Sequence, residues 1–199
     1  MLVIGLVGAT GAGKTEVLKI LGELGARTIA ADELSREVLA PGQPALTQLR
    51  AVFGDEYFDA QGHLIRKALG NLIFADEAAR QRLDAIVHPL MVDLLQQRLT
   101  RWRQEGVAVA VVESAVLEEM GARPLVDKVV RVEAAEALRL RRLSERDGLT
   151  EDEARRRLQT HSRLALDGTQ ADLCLANEAE RGGLRKQVEH LWQTLVVKS

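Results

Sequence analysis

A three-layer α/β/α domain built on a five-stranded parallel sheet is the fold class that the sequence predicts, and three observations predict it. Apolar runs suited to strands alternate with segments of helical periodicity, the pattern of a parallel sheet with right-handed crossovers. The first run, Leu2 to Val7, is apolar throughout rather than alternating, as a strand buried on both faces requires. It passes directly into Gly8-Ala9-Thr10-Gly11-Ala12-Gly13-Lys14-Thr15, a glycine-rich turn placed between strand and helix. A chain of 199 residues is long enough for one such domain with insertions.

The elements follow in order. Strand Leu2–Val7 is succeeded by a helix from Lys14 to about Leu24, then by a strand at Arg27–Ala30 that ends before Asp32. Helical patterns dominate from Glu33 to Arg103, at about 33–39, 44–53, 66–74 and 77–103. Pro41-Gly42, the stretch Asp59-Ala60-Gln61-Gly62 and Pro89 punctuate them, and Pro89 is expected to open or kink a helix. Val107–Val112 reads as the third strand, ending at Glu113, and Lys128–Val132 as the fourth. Helices are expected at Ala134–Arg146 and Thr150–Arg163, the second opening with Thr150-Glu151-Asp152-Glu153, a capping box by spacing. Ala171–Leu175 is the last strand and 181–197 a closing helix.

Composition excludes several classes. The formal charge of −2 offers no electrostatic case for general nucleic-acid binding. Aromatics at 3% are too few for a base-stacking surface. The single cysteine, Cys174, lies in an apolar run and is expected to be a buried core thiol; it allows no disulfide within the chain, which fits a reducing compartment. The apolar start is too short for a secretory segment or a membrane span, so the expected location is the cytoplasm.

The turn after the first strand carries the chemistry. G-x-x-x-x-G-K-[ST] is a phosphate-binding loop, so the fold class narrows to a P-loop NTPase. Its glycines bring successive N–H groups around an anion, and the helix behind adds the positive end of its dipole. Residues Gly8, Ala9, Thr10, Gly11, Ala12 and Gly13 would cradle the phosphates, Lys14 would reach the β- and γ-phosphates, and the Thr15 hydroxyl would join a Mg²⁺ shell. A nucleoside triphosphate and Mg²⁺ are therefore the expected ligands of this loop. In parallel sheets ligands bind beyond the carboxyl ends of the strands, where Lys14, Asp32 and Glu113 all fall.

Two helical blocks are inserted into this core. Residues 33–103 separate the second and third strands, far more than a crossover needs. Residues 134–165 are dense in arginine: Arg139, Arg141, Arg142, Arg146, Arg155, Arg156, Arg157 and Arg163. Interleaved acids also suit a solvated hairpin, yet Arg142 and Arg146 stand four apart on one helix face. A P-loop transferase needs movable cations over the transferring group, and arginine suits that task. The expected organisation is a core of about 1–32, 104–133 and 166–199, an acceptor-binding insertion of about 33–103 and a lid of about 134–165. That arrangement describes a small-molecule kinase better than a switch GTPase, whose guanine-reading N-K-x-D is absent.

At these residues the sequence resembles the dephospho-coenzyme A kinase family, from Met1 to about Asn177. The resemblance begins with GATGAGKT and continues in AADELSREVLAPG, where Asp32, Arg36, Pro41 and Gly42 match. It extends through HLIRKALGNLIFAD (Arg66, Leu69, Phe74), the His88-Pro89 pair, the lid-like RRLSERDGLTEDEARRRL, and ADLCLAN ending in Asn177. It implies transfer of the ATP γ-phosphoryl group to the ribose 3′-hydroxyl of dephospho-coenzyme A. It further implies that Asp32 is the base, Arg36, Arg66 and His88 line the acceptor pocket, Arg142 and Arg146 act on the phosphates, and the segment around Asn177 lies near adenine, held partly through backbone groups. A carboxylate at a strand end can orient an alcohol for in-line attack. Asp32 also suits the N-cap of a helix from Glu33, a role compatible with catalysis. His88 equally suits a hydrogen-bonded structural histidine. Glu113 either accepts a hydrogen bond from metal-bound water or contacts the acceptor.

Some family positions differ: Ala30 replaces the first acid of D-A-D, Ala115 a proline, His161 a glutamine and Asp167 a basic residue. Glu178-Ala179-Glu180 lacks the glycine expected after Asn177. Two other readings stay open: a nucleoside or nucleotide kinase on the same core, and an ATP-binding regulatory paralogue without catalysis. The expected partners are ATP and dephospho-coenzyme A, with no nucleic acid and no membrane, and the chain is expected to be a monomer or weak homo-oligomer.

Overall fold

The computed structural model describes residues 1–156, 158, 170–178 and 181–197. Arg157, His161, Arg163, Asp167, Ala179 and Glu180, singled out above, lie outside the described residues. The strands are β1 (Leu2–Val7), β2 (Arg27–Ala30), β3 (Val109–Glu113), β4 (Lys128–Glu133) and β5 (Leu173–Ala176). They form one five-stranded sheet in the order β2-β3-β1-β4-β5, with every pairing parallel, as the sequence pattern predicts.

β1 is central, with β3 on one side and β4 on the other, which explains its unbroken apolar character. Its alternate residues serve different faces. Ile4 and Leu6 join Val109 and Val111 of β3 and Val130 and Val132 of β4 in one core cluster. Two helices complete that cluster: α1 (Lys14–Glu23) through Val17, Ile20 and Leu21, and a closing helix, Arg181–Trp192, through Leu184, Val188 and Leu191. Gly5 points to the other face, where a side chain would come within 2.8 Å of Leu117 Cδ2.

Two aspartates extend the ladders at the amino edge of this sheet. Asp127 accepts the Val3 N–H on its carboxylate at 2.7 Å and returns its own N–H to the Val3 carbonyl at 2.8 Å. Asp172 treats Val129 in the same way, at 2.8 and 2.9 Å. Each pair supplies a partner to a strand-starting N–H that would otherwise lack one.

The chain divides into two compact units, Met1–Ala30 with Leu99–Ser199, and Ala31–Arg98. The second unit is helical: α2 (Ala31–Val38), α3 (Pro44–Phe53), α4 (Arg66–Ala75) and most of α5 (Glu77–Gln104). Pro44 opens α3, where its missing N–H costs nothing. Asp76 caps α5 by accepting the N–H groups of Ala78 and Ala79 at 2.8 and 3.1 Å. Between α3 and α4, Asp59 Oδ1 accepts the N–H groups of Gln61 and His63 and closes the turn joining Phe58 to Leu64. The Arg50 guanidinium stacks 4.5 Å above the Phe58 ring.

Three expectations need correction. α2 starts at Ala31, directly on the end of β2, so Asp32 stands in the first helical turn rather than at an N-cap before Glu33. α5 runs as one helix through Pro89, as the pattern at 77–103 predicts, so of the two effects expected of Pro89 the opening of a helix does not occur. Cys174 is exposed. β5 is an edge strand of which only Leu175 is buried, and the two-residue period turns Cys174 to the opposite side from Leu175.

The helix α6 (Glu136–Asp147) ends at Gly148 in the left-handed region, and helical residues resume at 151–156. The predicted capping box is present at their start. Glu153 accepts the Thr150 N–H at 2.9 Å and the Thr150 hydroxyl at 2.7 Å, which holds the Glu153 carboxyl below its ordinary range. We number the closing helix Arg181–Trp192 as α7.

Candidate active site

The loop from Gly8 to Gly13 turns the chain from β1 into α1. Gly8, Gly11 and Gly13 all have positive φ, and Gly13, at φ 98°, is the N-cap residue of α1. Gly13 answers to more than backbone freedom, because a Cβ there would collide with the side-chain amide of Asn177. A Cβ on Gly11 would come within 2.8 Å of the Arg139 carbonyl of α6. The loop is therefore pressed from outside by two elements that lie far along the chain.

Lys14 is held over the loop. Its ammonium donates to the Gly8 carbonyl at 2.8 Å and the Ala9 carbonyl at 3.4 Å, and Glu113 Oε1 at the end of β3 is 3.6 Å away. Ala9 also accepts the Ala12 N–H at 3.1 Å, the hydrogen bond that shapes the turn. A pocket of about 530 Å³ opens here, lined by Gly11, Gly13, Lys14 and Thr15 on one side and by Arg142, Leu143, Arg146 and Asn177 on the other. Thr15 is exposed in the first turn of α1.

Arg142 and Asn177 thus meet the loop, and Arg146 lines the same pocket. Arg142 Nη1 donates to the Gly11 and Ala12 carbonyls at 3.4 and 3.3 Å, and Nη2 to Asn177 Oδ1 at 3.2 Å. Arg146, one turn further on, makes a two-pronged bond to Asp147, at 2.7 Å from Nε and 3.0 Å from Nη2. Asn177, only 4% exposed, donates from Nδ2 to the Ala12 carbonyl at 2.7 Å. Sequence reading brought Arg142 and Asn177 to the nucleotide, but not to each other or to the loop carbonyls. Gly13 carried the only signal of that contact, and the loop motif by itself already accounts for a glycine there.

The remaining predicted residues belong to the helical unit. Asp32 and Arg36 are exposed on α2. Arg66, at the start of α4, donates to the carbonyls of Leu39 and Arg36 at 3.2 and 3.4 Å, so it braces the end of α2. His88 lies mid-way along α5 with Nε2 3.5 Å from Asp84 Oδ1, and Asp84 also receives Arg80 at 3.0 Å. That local partnership gives His88 a structural neighbour one turn back on its own helix.

A phosphate loop at the carboxyl end of the central strand of a parallel sheet, facing two arginines across one pocket, defines a P-loop phosphotransferase. The family model for dephospho-CoA kinase matches residues 2–182, and the chain belongs to that family. The dephospho-CoA kinase of Geobacter sulfurreducens is 40% identical over 192 residues, which cover 96% of this chain and 98% of that one. A crystal structure of a Thermus thermophilus protein superposes with a TM-score of 0.77 at 26% identity, covering 98% of this chain and 97% of its own. Dephospho-CoA kinase from Campylobacter jejuni, at TM-score 0.70 and 21% identity over 98% of each chain, shares the fold. The chain is accordingly a kinase, and the nucleoside-kinase and regulatory readings are not favoured. No helix among the described residues is long and apolar enough to cross a membrane.

Proposed function

We propose that this chain transfers the γ-phosphoryl group of ATP to the ribose 3′-hydroxyl of dephospho-coenzyme A, with Asp32 as base. The observation that carries the donor half is the pocket lined by Lys14 and Thr15 of the phosphate loop together with Arg142 and Arg146. Family membership supports the acceptor. Lys14 would exchange its loop carbonyls for the β- and γ-phosphates, and Arg146 would bring positive charge to the transferring group. Asp32, two residues past the last residue of β2, is an exposed carboxylate that would accept the proton of the alcohol.

The exposed Thr15 hydroxyl beside Lys14 fits Mg²⁺, which takes one or two protein oxygens and completes its shell with phosphate and water. Bound there, Mg²⁺ would supply neutralising charge to the β- and γ-oxygens. Glu113, 3.6 Å from Lys14, would hold that lysine or a metal-bound water in register. Arg36, Arg66 and His88 would serve the acceptor within the insertion, and α6 with the residues after it would act as the lid. The chain would work in the cytoplasm, as a monomer or weak homo-oligomer.

A mass-resolved assay with ATP, Mg²⁺ and dephospho-coenzyme A, with nucleosides in parallel, tests the reading. Coenzyme A is the expected product. Phosphorylated nucleoside without coenzyme A would overturn it.

A further inference from the structure

Asn177 is fixed before its side chain acts. Its N–H donates to the Glu133 carbonyl at 2.7 Å, which registers the residue on the end of β4. The buried side chain then reaches across the sheet edge to the Ala12 carbonyl, while Arg142 donates to the same carbonyl and to Asn177 Oδ1. One loop carbonyl thus receives two side-chain donors that are also bonded to each other.

The consequence falls on the next N–H. A trans peptide is planar, so the Ala12 carbonyl and the Gly13 N–H point in opposite directions from one rigid unit. Holding the carbonyl toward Asn177 therefore fixes the Gly13 N–H away from it. Gly13 is the N-cap residue of α1, so this N–H belongs to the set of donors that meets an anion at the helix start. Asn177 can engage Ala12 only because position 13 lacks a Cβ.

We propose that Asn177, with Arg142, is a positioning residue of the phosphate loop, orienting the peptide between Ala12 and Gly13 for the triphosphate rather than contacting adenine through its side chain. The proposal rests on the phosphate-loop part of the functional reading above. Asn177 already accepts from Arg142 on its amide oxygen and donates to Ala12 from its amide nitrogen, inside a nearly closed environment.

The test compares the wild type, Asn177→Ala and Asn177→Asp for binding of ATP, of inorganic tripolyphosphate (which has no adenine) and of adenosine, by calorimetry on the full chain. Asn177→Asp retains the acceptor for Arg142 and loses the donor to Ala12, and its near-identical shape guards against a variant that fails to fold. In each variant ATP and tripolyphosphate are expected to weaken by the same factor, about tenfold, the effect of losing the buried hydrogen bond to Ala12 that both variants lack, with adenosine unchanged. In steady state, KM for ATP should rise and kcat fall while KM for dephospho-coenzyme A stays constant, a split that general destabilisation would not produce. Weakened ATP with unchanged tripolyphosphate would move Asn177 to the nucleoside end and overturn the proposal. So would unchanged binding of both, or a wild type that holds tripolyphosphate no better than adenosine. Failure of the wild type to form coenzyme A would instead overturn the acceptor reading and leave the tripolyphosphate comparison intact.

Discussion

The Lys14 ammonium lies 3.6 Å from the Glu113 carboxylate while donating to the carbonyl of Gly8 at 2.8 Å. One cation therefore connects the end of β3 to the loop that follows β1, and both ends of that connection are little exposed, at 11% and 16%. Lys14→Ala removes the charge proposed to meet the phosphates and leaves Glu113 without this counter-ion. Equilibrium binding should show ATP affinity falling by at least about tenfold, together with turnover, as loss of a charge-assisted contact requires. An enzyme unaffected in both would sink the phosphate-loop assignment.

Asp32→Asn separates chemistry from nucleotide binding. The side chain is exposed in the first turn of α2, so the substitution leaves no buried group unpaired. Removing a general base lowers kcat by about 10²- to 10⁴-fold. ATP affinity, measured by calorimetry, should stay near that of the wild type. Affinity falling as far as turnover would show that Asp32 serves the triphosphate instead.

The amino edge of the sheet should be sensitive to acid. Asp172 has its carboxyl lowered first by the Val129 N–H, then by the hydrogen bond from Lys128. A depressed folded-state pKa adds stability that is complete above the unfolded value and lost as pH falls through the folded one. Asp172→Asn should therefore lower Tm at pH 7. Its deficit relative to the wild type should shrink as pH falls below about 4, the ordinary carboxylate range. A deficit that stays constant across that range would mean that the carboxylate charge has no part in it.

Leu143 joins two functions of α6. It packs in a small cluster with Leu140, Ala154 and Leu158, and it lines the phosphate-loop pocket beside Arg142 and Arg146. Leu143→Ala should cost about 2–5 kcal/mol of packing within that cluster. Hydrogen exchange should quicken in α6 and at 151–156 while β1 and β4 stay protected. Uniform acceleration across the sheet would show that the cluster is not a separate stabilising unit.

Much of this molecule was legible in local pattern. The unbroken apolar run of β1 marked a central strand, the glycines and Lys14 marked the phosphate loop, and the limits of β1, β2 and α3 agree with the expected residues. Such features depend on neighbours within a few positions, through side-chain period, turn chemistry and the cost of burying an unpaired backbone group. The Thr150–Glu153 box was readable for the same reason. Cys174 was misread because an apolar run does not say which strand lies at the edge of a sheet.

The sequence by itself therefore determined the parallel strands, the loop and the family to which they belong. Only the tertiary structure decided that Glu113 faces Lys14, and that Arg142 and Asn177 meet on the Ala12 carbonyl. Asn177 and Ala12 stand 165 positions apart, and no local period or propensity couples them. They meet because parallel pairing brings the end of β5 level with the end of β4, and β4 lies beside β1, from which the loop emerges.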